Sequence, residues 1–152
     1  MAETQPPSKY FRQPKLIDRI LNRAFGLLIN LGIGRSHNYL LEVRGRKSGK
    51  AYSTPVNLLA HKGRKYLVAL RGYTQWVRNV EASGEATLVR GARREKIGLR
   101  AIAEEAKAEI LKAYLDRFKL TVQRYFPVAA GSPVEAFEPL TARYPVFELI
   151  DN

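Results

Sequence analysis

The 152-residue chain contains no cysteine, one methionine, one tryptophan and two histidines. Lack of cysteine excludes disulfides, thiolate metal sites and a cysteine nucleophile. His37 and His61 sit in unlike local settings, so neither a histidine metal centre nor triad chemistry is expected. Long hydrophobic runs are missing as well. The longest apolar stretch is broken by Asn30 and Gly32, and residues 1–14 are polar and proline-rich, with no secretory h-region. These features lead us to expect a cytoplasmic protein. Acids are scarce too: 14 Asp and Glu face 26 Lys and Arg, for a net charge of +12.

The excess charge is concentrated. Residues 44–100 hold 14 Lys and Arg against Glu81, Glu85 and Glu95, a local balance of 14 − 3 = +11. Such a positive field fits a polyanionic partner: a nucleic acid, an anionic membrane surface, or a small ligand with several negative groups. Within this segment lies Gly45-Arg46-Lys47-Ser48-Gly49, between two β-like runs. Its glycines permit a tight turn and close backbone approach, while the three residues between them offer a guanidinium fork, an ammonium and a hydroxyl. That chemistry holds an anion such as phosphate, although a solvated basic hairpin tip has the same composition. The string is not a Walker A loop, which needs a longer spacing and a following Gly-Lys-Ser/Thr.

With 45% hydrophobic residues, eight tyrosines and no internal repeat, the chain has the material for one folded domain. We expect a tail over residues 1–14 that is flexible, followed by a single domain over 15–152. Leu16, Ile17, Ile20, Leu21, Ala24, Leu27, Leu28 and Leu31 recur every three or four residues, which predicts an amphipathic helix ended by Gly32 and Gly34. Its apolar stripe fits a docked face, with contact to a membrane surface as the alternative. Strands are expected over Tyr39 to Arg44, Ser53 to Ala60, Lys65 to Leu70, Ala86 to Arg90, Lys96 to Ile102 and Val146 to Ile150, with tight turns at Lys62-Gly63 and Gly91-Ala92. A short helix capped by Thr74 and ending near Gly84, a long helix from Glu104 to Phe126, and a third opened by the Ser132-Pro133-Val134-Glu135 capping box complete an α+β antiparallel meander or barrel.

Three strings in this order, Gly45 to Gly49, Thr54-Pro55-Val56-Asn57 and Trp76-Val77-Arg78-Asn79, resemble the deazaflavin-dependent nitroreductase and quinone reductase family of actinobacteria. These are split β-barrels, of the kind that also serves flavin mononucleotide, and they bind the deazaflavin coenzyme F-420. The resemblance spans roughly residues 15–150, and Pro145 to Leu149 is similar to the family's closing strand. It implies an antiparallel split β-barrel with an N-terminal helix and a C-terminal helical segment. It further implies that Arg46, Lys47, Ser48 and Gly49 grip the coenzyme's phosphate, that Tyr52, Thr54, Pro55, Val56, Asn57, Ala69, Leu70 and Arg71 line the deazaflavin, and that Gln75, Trp76, Arg78 and Asn79 close the pocket. At Tyr52 better-known members carry Arg, which puts the contacts to the coenzyme's glutamate tail in question unless Lys50 substitutes.

A coenzyme with a phosphodiester and a glutamate tail accounts for the +11 segment without nucleic acid, and it brings its own redox chemistry, so no catalytic motif is needed. The expected activity is reduction of an electron-poor acceptor such as a quinone, nitro compound or enone by the reduced coenzyme. Rival readings are a non-catalytic carrier of the coenzyme, a barrel for flavin mononucleotide or haem, and, least, a basic nucleic-acid-binding domain. A homodimer is compatible with the reading. Several site residues have plainer alternatives: Trp76 and Tyr125 as core-packing aromatics, Arg71 as a solvated strand end, Asn57 as a partner of buried backbone. Tyr125, the sole catalytic candidate, is named because tyrosines in that region donate to substrate in relatives.

Overall fold

The computed structural model describes residues 37–150. The expected tail over 1–14 and the expected helix ended by Gly32 and Gly34 lie outside the described residues. The elements follow as β1 (Asn38–Arg44), β2 (Ala51–Asn57), β3 (Leu59–His61), β4 (Arg64–Val68), α1 (Gln75–Ser83), β5 (Glu85–Arg90), β6 (Arg93–Ala101), α2 (Glu104–Val122), the 3-10 helices η1 (Gln123–Tyr125) and η2 (Val134–Arg143), and β7 (Val146–Ile150).

All seven strands join one antiparallel sheet in the order β2-β1-β5-β6-β7-β4-β3. β2 and β3 are its two edges, yet Leu58 alone separates them in sequence. Laid flat, six strand spacings of roughly 4.8 Å would hold those edges about 29 Å apart. Two Cα steps reach only about 7 Å. The sheet must therefore roll up until its edges meet, and β2 comes alongside β4 without a ladder between them. This is a split barrel.

Period-two alternation divides the side chains between two cores. On paired β4 and β7, Leu67 and Phe147 face each other and enter the barrel interior with Leu41, Val43, Val77, Val80, Leu88, Ile97 and Leu99. Their neighbours Tyr66, Val68 and Val146 turn outward to meet α2 through Ile110, Leu111, Tyr114, Leu115 and Phe118, with Phe137 and Leu140 of η2 closing the layer. Both turns form where expected. Lys62 and Gly63 take φ of 51° and 79°, the paired positive values of a type I′ turn, and Gly91 takes φ of 60°.

Four expectations are corrected. The run Ser53 to Ala60 is two strands, because the chain changes sheet edge at Leu58. β6 starts at Arg93, earlier than Lys96, since β5 offers a partner as far as Arg90. The long helix stops at Val122, beyond a non-helical Phe118 (φ −114°, ψ 23°), and tightens into η1. Ser132 caps nothing: Pro133 is the N-cap of η2, and Pro139 within it lacks the N–H that an α-helix would need.

Candidate functional site

The loop between β1 and β2 is shaped by its own backbone. Gly45 N–H donates to the Lys50 carbonyl (2.7 Å), Gly49 N–H to the Gly45 carbonyl (2.9 Å), and Lys50 N–H to Ser48 Oγ (3.2 Å). Each glycine has a separate reason. A Cβ on Gly45 would lie 2.8 Å from Tyr52 Cε2, whereas Gly49 has open space but sits at φ 75°. Arg44 Nη1 ties the Gly49 carbonyl from below (2.9 Å).

The loop docks on α1. Asn79, buried in that helix, accepts through Oδ1 from Arg46 backbone N–H (3.0 Å) and from Arg46 Nη1 (2.8 Å), and Gln75 Oε1 takes the other Nη1 hydrogen (3.0 Å). Both groups facing Asn79 are donors, so its oxygen and not its amide nitrogen must point at them. Helix α1 is anchored by Val77 and Val80 in the barrel interior and ends in a left-handed cap at Gly84 (φ 72°), whose N–H reaches the Val80 carbonyl (2.6 Å). Loop and helix thus form one unit that leaves Lys47 and Ser48 exposed at its rim.

A second cluster joins the segment that follows β4 to η1. Tyr125 Oη accepts from Arg124 Nη2 (2.7 Å) and Arg71 Nη2 (3.4 Å), and both guanidinium groups also lie over its ring. On β2, Asn57 Nδ2 donates to Tyr114 Oη (3.4 Å). Burial pushes the Tyr114 phenol well above its ordinary range, the Asn57 hydrogen bond acting in the opposite sense.

The remaining candidates divide by exposure. Tyr52 is about half exposed and its hydroxyl lies 3.4 Å from Ser48 Oγ, while Thr54 and Pro55 are half-buried on the edge strand, where a missing N–H is tolerated. Val56 packs on the barrel core, Leu70 on the helical one, and Ala69 is buried in the interior with its N–H held by the Pro145 carbonyl. Trp76 packs on that interior too, its ring 6.0 Å from Phe147. Arg78 folds back on the Tyr73 carbonyl. Tyr114 and Arg124 were not foreseen: the first reads in sequence as one more apolar-stripe residue, and the second as a solvated cation.

Fold and site define a split-barrel protein that presents a cationic, donor-bearing loop braced by a helix. The model of the family described as "F-420H(2)-dependent quinone reductase" matches residues 21–128, and the chain belongs to that family. It is accordingly an oxidoreductase whose cofactor is reduced coenzyme F-420. No curated protein matches the sequence. Among solved structures, an F-420-H2 dependent reductase is 18% identical (TM-score 0.50, covering 76% of this chain and 95% of that one). A protein of unknown function from Agrobacterium tumefaciens is 16% identical (TM-score 0.55, covering 85% of this chain and 54%, about half, of that one). A domain-swapped dimer is 18% identical (TM-score 0.53, covering 88% and 93%). At these identities they attest the fold.

The donor set fits the coenzyme's phosphate. Lys47 Nζ has no partner among the described residues, and the Nε and Nη2 atoms of Arg46 are likewise uncommitted there. An ammonium, a guanidinium edge and the Ser48 hydroxyl therefore meet in one exposed loop.

Proposed function

We propose that the protein reduces a quinone, a nitro compound or an enone, with Lys47, Ser48 and the outer edge of Arg46 holding the coenzyme's phosphate. The observation that carries this reading is the division of labour within the loop: its base and one guanidinium nitrogen are spent on structure, and the remaining cationic donors face outward. When bound, the reduced coenzyme supplies a hydride. The chain's own residues bind, orient and exclude water. Tyr52 and Thr54, on one face of β2, line the ring side of the site, and Gln75, Trp76 and Arg78 close it. The same reading places the protein in the cytoplasm, as a homodimer or a monomer. Among the described residues, no helix is long and apolar enough to cross a membrane.

Titration of the purified protein with coenzyme F-420 beside flavin mononucleotide tests the cofactor, and mixing with reduced coenzyme and a panel of quinones, nitroaromatics and enones tests the reaction. We expect selective coenzyme binding and enzyme-dependent oxidation with at least one acceptor. Tight binding with no turnover across the panel would replace the reductase with a carrier. DNA and RNA are expected to be released near physiological salt, because duplex binding through phosphate contacts falls with a slope of about −0.9 per contact.

A further inference from the structure

We infer that Asn79 is a positioning residue for the phosphate loop and that it acts through Arg46 without touching the coenzyme. The inference rests on the phosphate-binding reading above. Asn79 is about 4% exposed, and its single carboxamide oxygen accepts from both ends of Arg46: the backbone N–H at 3.0 Å and Nη1 at 2.8 Å. Two hydrogen bonds to one residue from one acceptor define where its backbone lies and which way its side chain runs. Gln75 Oε1 takes the second Nη1 hydrogen at 3.0 Å, so that nitrogen is saturated by the helix.

The geometry has a directional consequence. A guanidinium has two fork edges, and with Nη1 committed to α1, the edge carried by Nε and Nη2 is the one turned away from the helix. It is the edge suited to a bidentate anion. Arg46 therefore hinges between helix and ligand: one side reads the position of α1, the other presents donors. Lys47 and Ser48 follow it in sequence, so the Arg46 backbone bond to Asn79 also sets where their side chains emerge.

The resemblance assigns Asn79 to the coenzyme's pocket, and the two roles differ in what they predict. The experiment uses full-length protein with Asn79→Ala, Asn79→Asp and Lys47→Ala, titrated with coenzyme F-420 and with the deazaflavin ribityl fragment that lacks the phosphate. In parallel, amide hydrogen exchange at Arg46 is followed without ligand. A positioning role predicts that Asn79→Ala weakens the full coenzyme about ten-fold or more and leaves the phosphate-free fragment within about two-fold. It also predicts that Arg46 amide exchange accelerates in Asn79→Ala and stays slow in Asn79→Asp, which keeps an acceptor in place. Equal losses for coenzyme and fragment would overturn the proposal in favour of direct ring contact. Unaltered coenzyme affinity in Asn79→Ala, or an Arg46 amide that exchanges freely in the unsubstituted protein, would also overturn it. If neither the unsubstituted protein nor Lys47→Ala binds coenzyme while Arg46 exchange still responds to Asn79→Ala, it is the phosphate-binding reading that fails, and the loop clamp stands.

Discussion

At the scale of single residues, Lys47 and Arg46 stand side by side with different commitments. Lys47 Nζ supports nothing else among the described residues, so Lys47→Ala should weaken coenzyme binding by about 1.5–3 kcal/mol, the range for hydrogen bonds to a charged group, with the melting temperature unchanged. Arg46→Ala removes the same class of contact and also frees Gln75 and Asn79, so it should lower the melting temperature as well. Calorimetry beside binding titration separates the two. Tyr125 holds two arginines on one oxygen, an organising arrangement. We therefore expect Tyr125→Phe to reduce turnover by less than ten-fold, whereas removal of a proton donor costs about 10²–10⁴-fold. A steady-state comparison with coenzyme affinity measured alongside decides between them. The Gly45 to Gly49 loop is legible in the sequence because glycine spacing and charge are local properties. The partners of Arg46 are not, since they lie 29 and 33 residues further along the chain, on a helix whose polar face reads as solvent-facing.

Among the elements, α1 is where local chemistry and tertiary support part company. Thr74 stands at its N-cap without making the capping bond, and its Oγ1 is buried without a partner among the described residues. The helix end is better made. Gly84 has φ 72°, and a methyl group added there would come no nearer than 4.0 Å to the Leu99 carbonyl oxygen, so Gly84→Ala meets backbone strain and no clash. The expected loss is about 1–2 kcal/mol in chemical denaturation, with coenzyme affinity falling in step if α1 braces the loop. Strands β1, β5 and β7 are readable from short runs rich in β-branched, aromatic and aliphatic residues, and both tight turns from Lys62-Gly63 and Gly91-Ala92. The break at Leu58 is not, because Leu58-Leu59-Ala60 reads as an apolar continuation of the same run; only the sheet's closure distinguishes the two sides. Arg93 and Arg94 likewise lack strand character of their own and are drawn into β6 by pairing with β5.

For the molecule as a whole, Glu104, Glu109 and Asp116 are held below the ordinary carboxylate range and Tyr73 and Tyr114 above the ordinary phenol, and Asp116 and Tyr114 illustrate how each limb of the pH dependence arises. Asp116 is partly desolvated, which raises its carboxyl, but Lys112 Nζ (2.9 Å) and Gly131 N–H (2.8 Å) outweigh this and hold it below its ordinary 3.8. A depressed acid contributes stability above the unfolded value and loses it as pH falls through the folded one, so this contribution fades below about pH 4. Tyr114 is raised by burial, so its contribution is complete below its ordinary 10.0 and declines as pH climbs past it. Melting temperature across this range should show a plateau with two falling limbs. Asp116→Asn is expected to flatten the acid limb and Tyr114→Phe the alkaline one; limbs of unchanged slope would move the titration to other groups.

The position of β7 governs how this molecule comes together in time. It is the last strand in sequence but lies between β6 and β4, so until it arrives the sheet exists as two rafts, β2-β1-β5-β6 and β4-β3, tethered through Leu58. Pairing Val68 with Val146 closes a loop of nearly eighty residues, a contact whose entropic cost must be met before any of its ladder is rewarded. Joining the rafts is therefore expected to come late in folding, with the hairpin of β1 and β2 formed before the barrel around it; a Val146→Ala variant that speeds unfolding and leaves the folding rate nearly unchanged is the outcome that checks it.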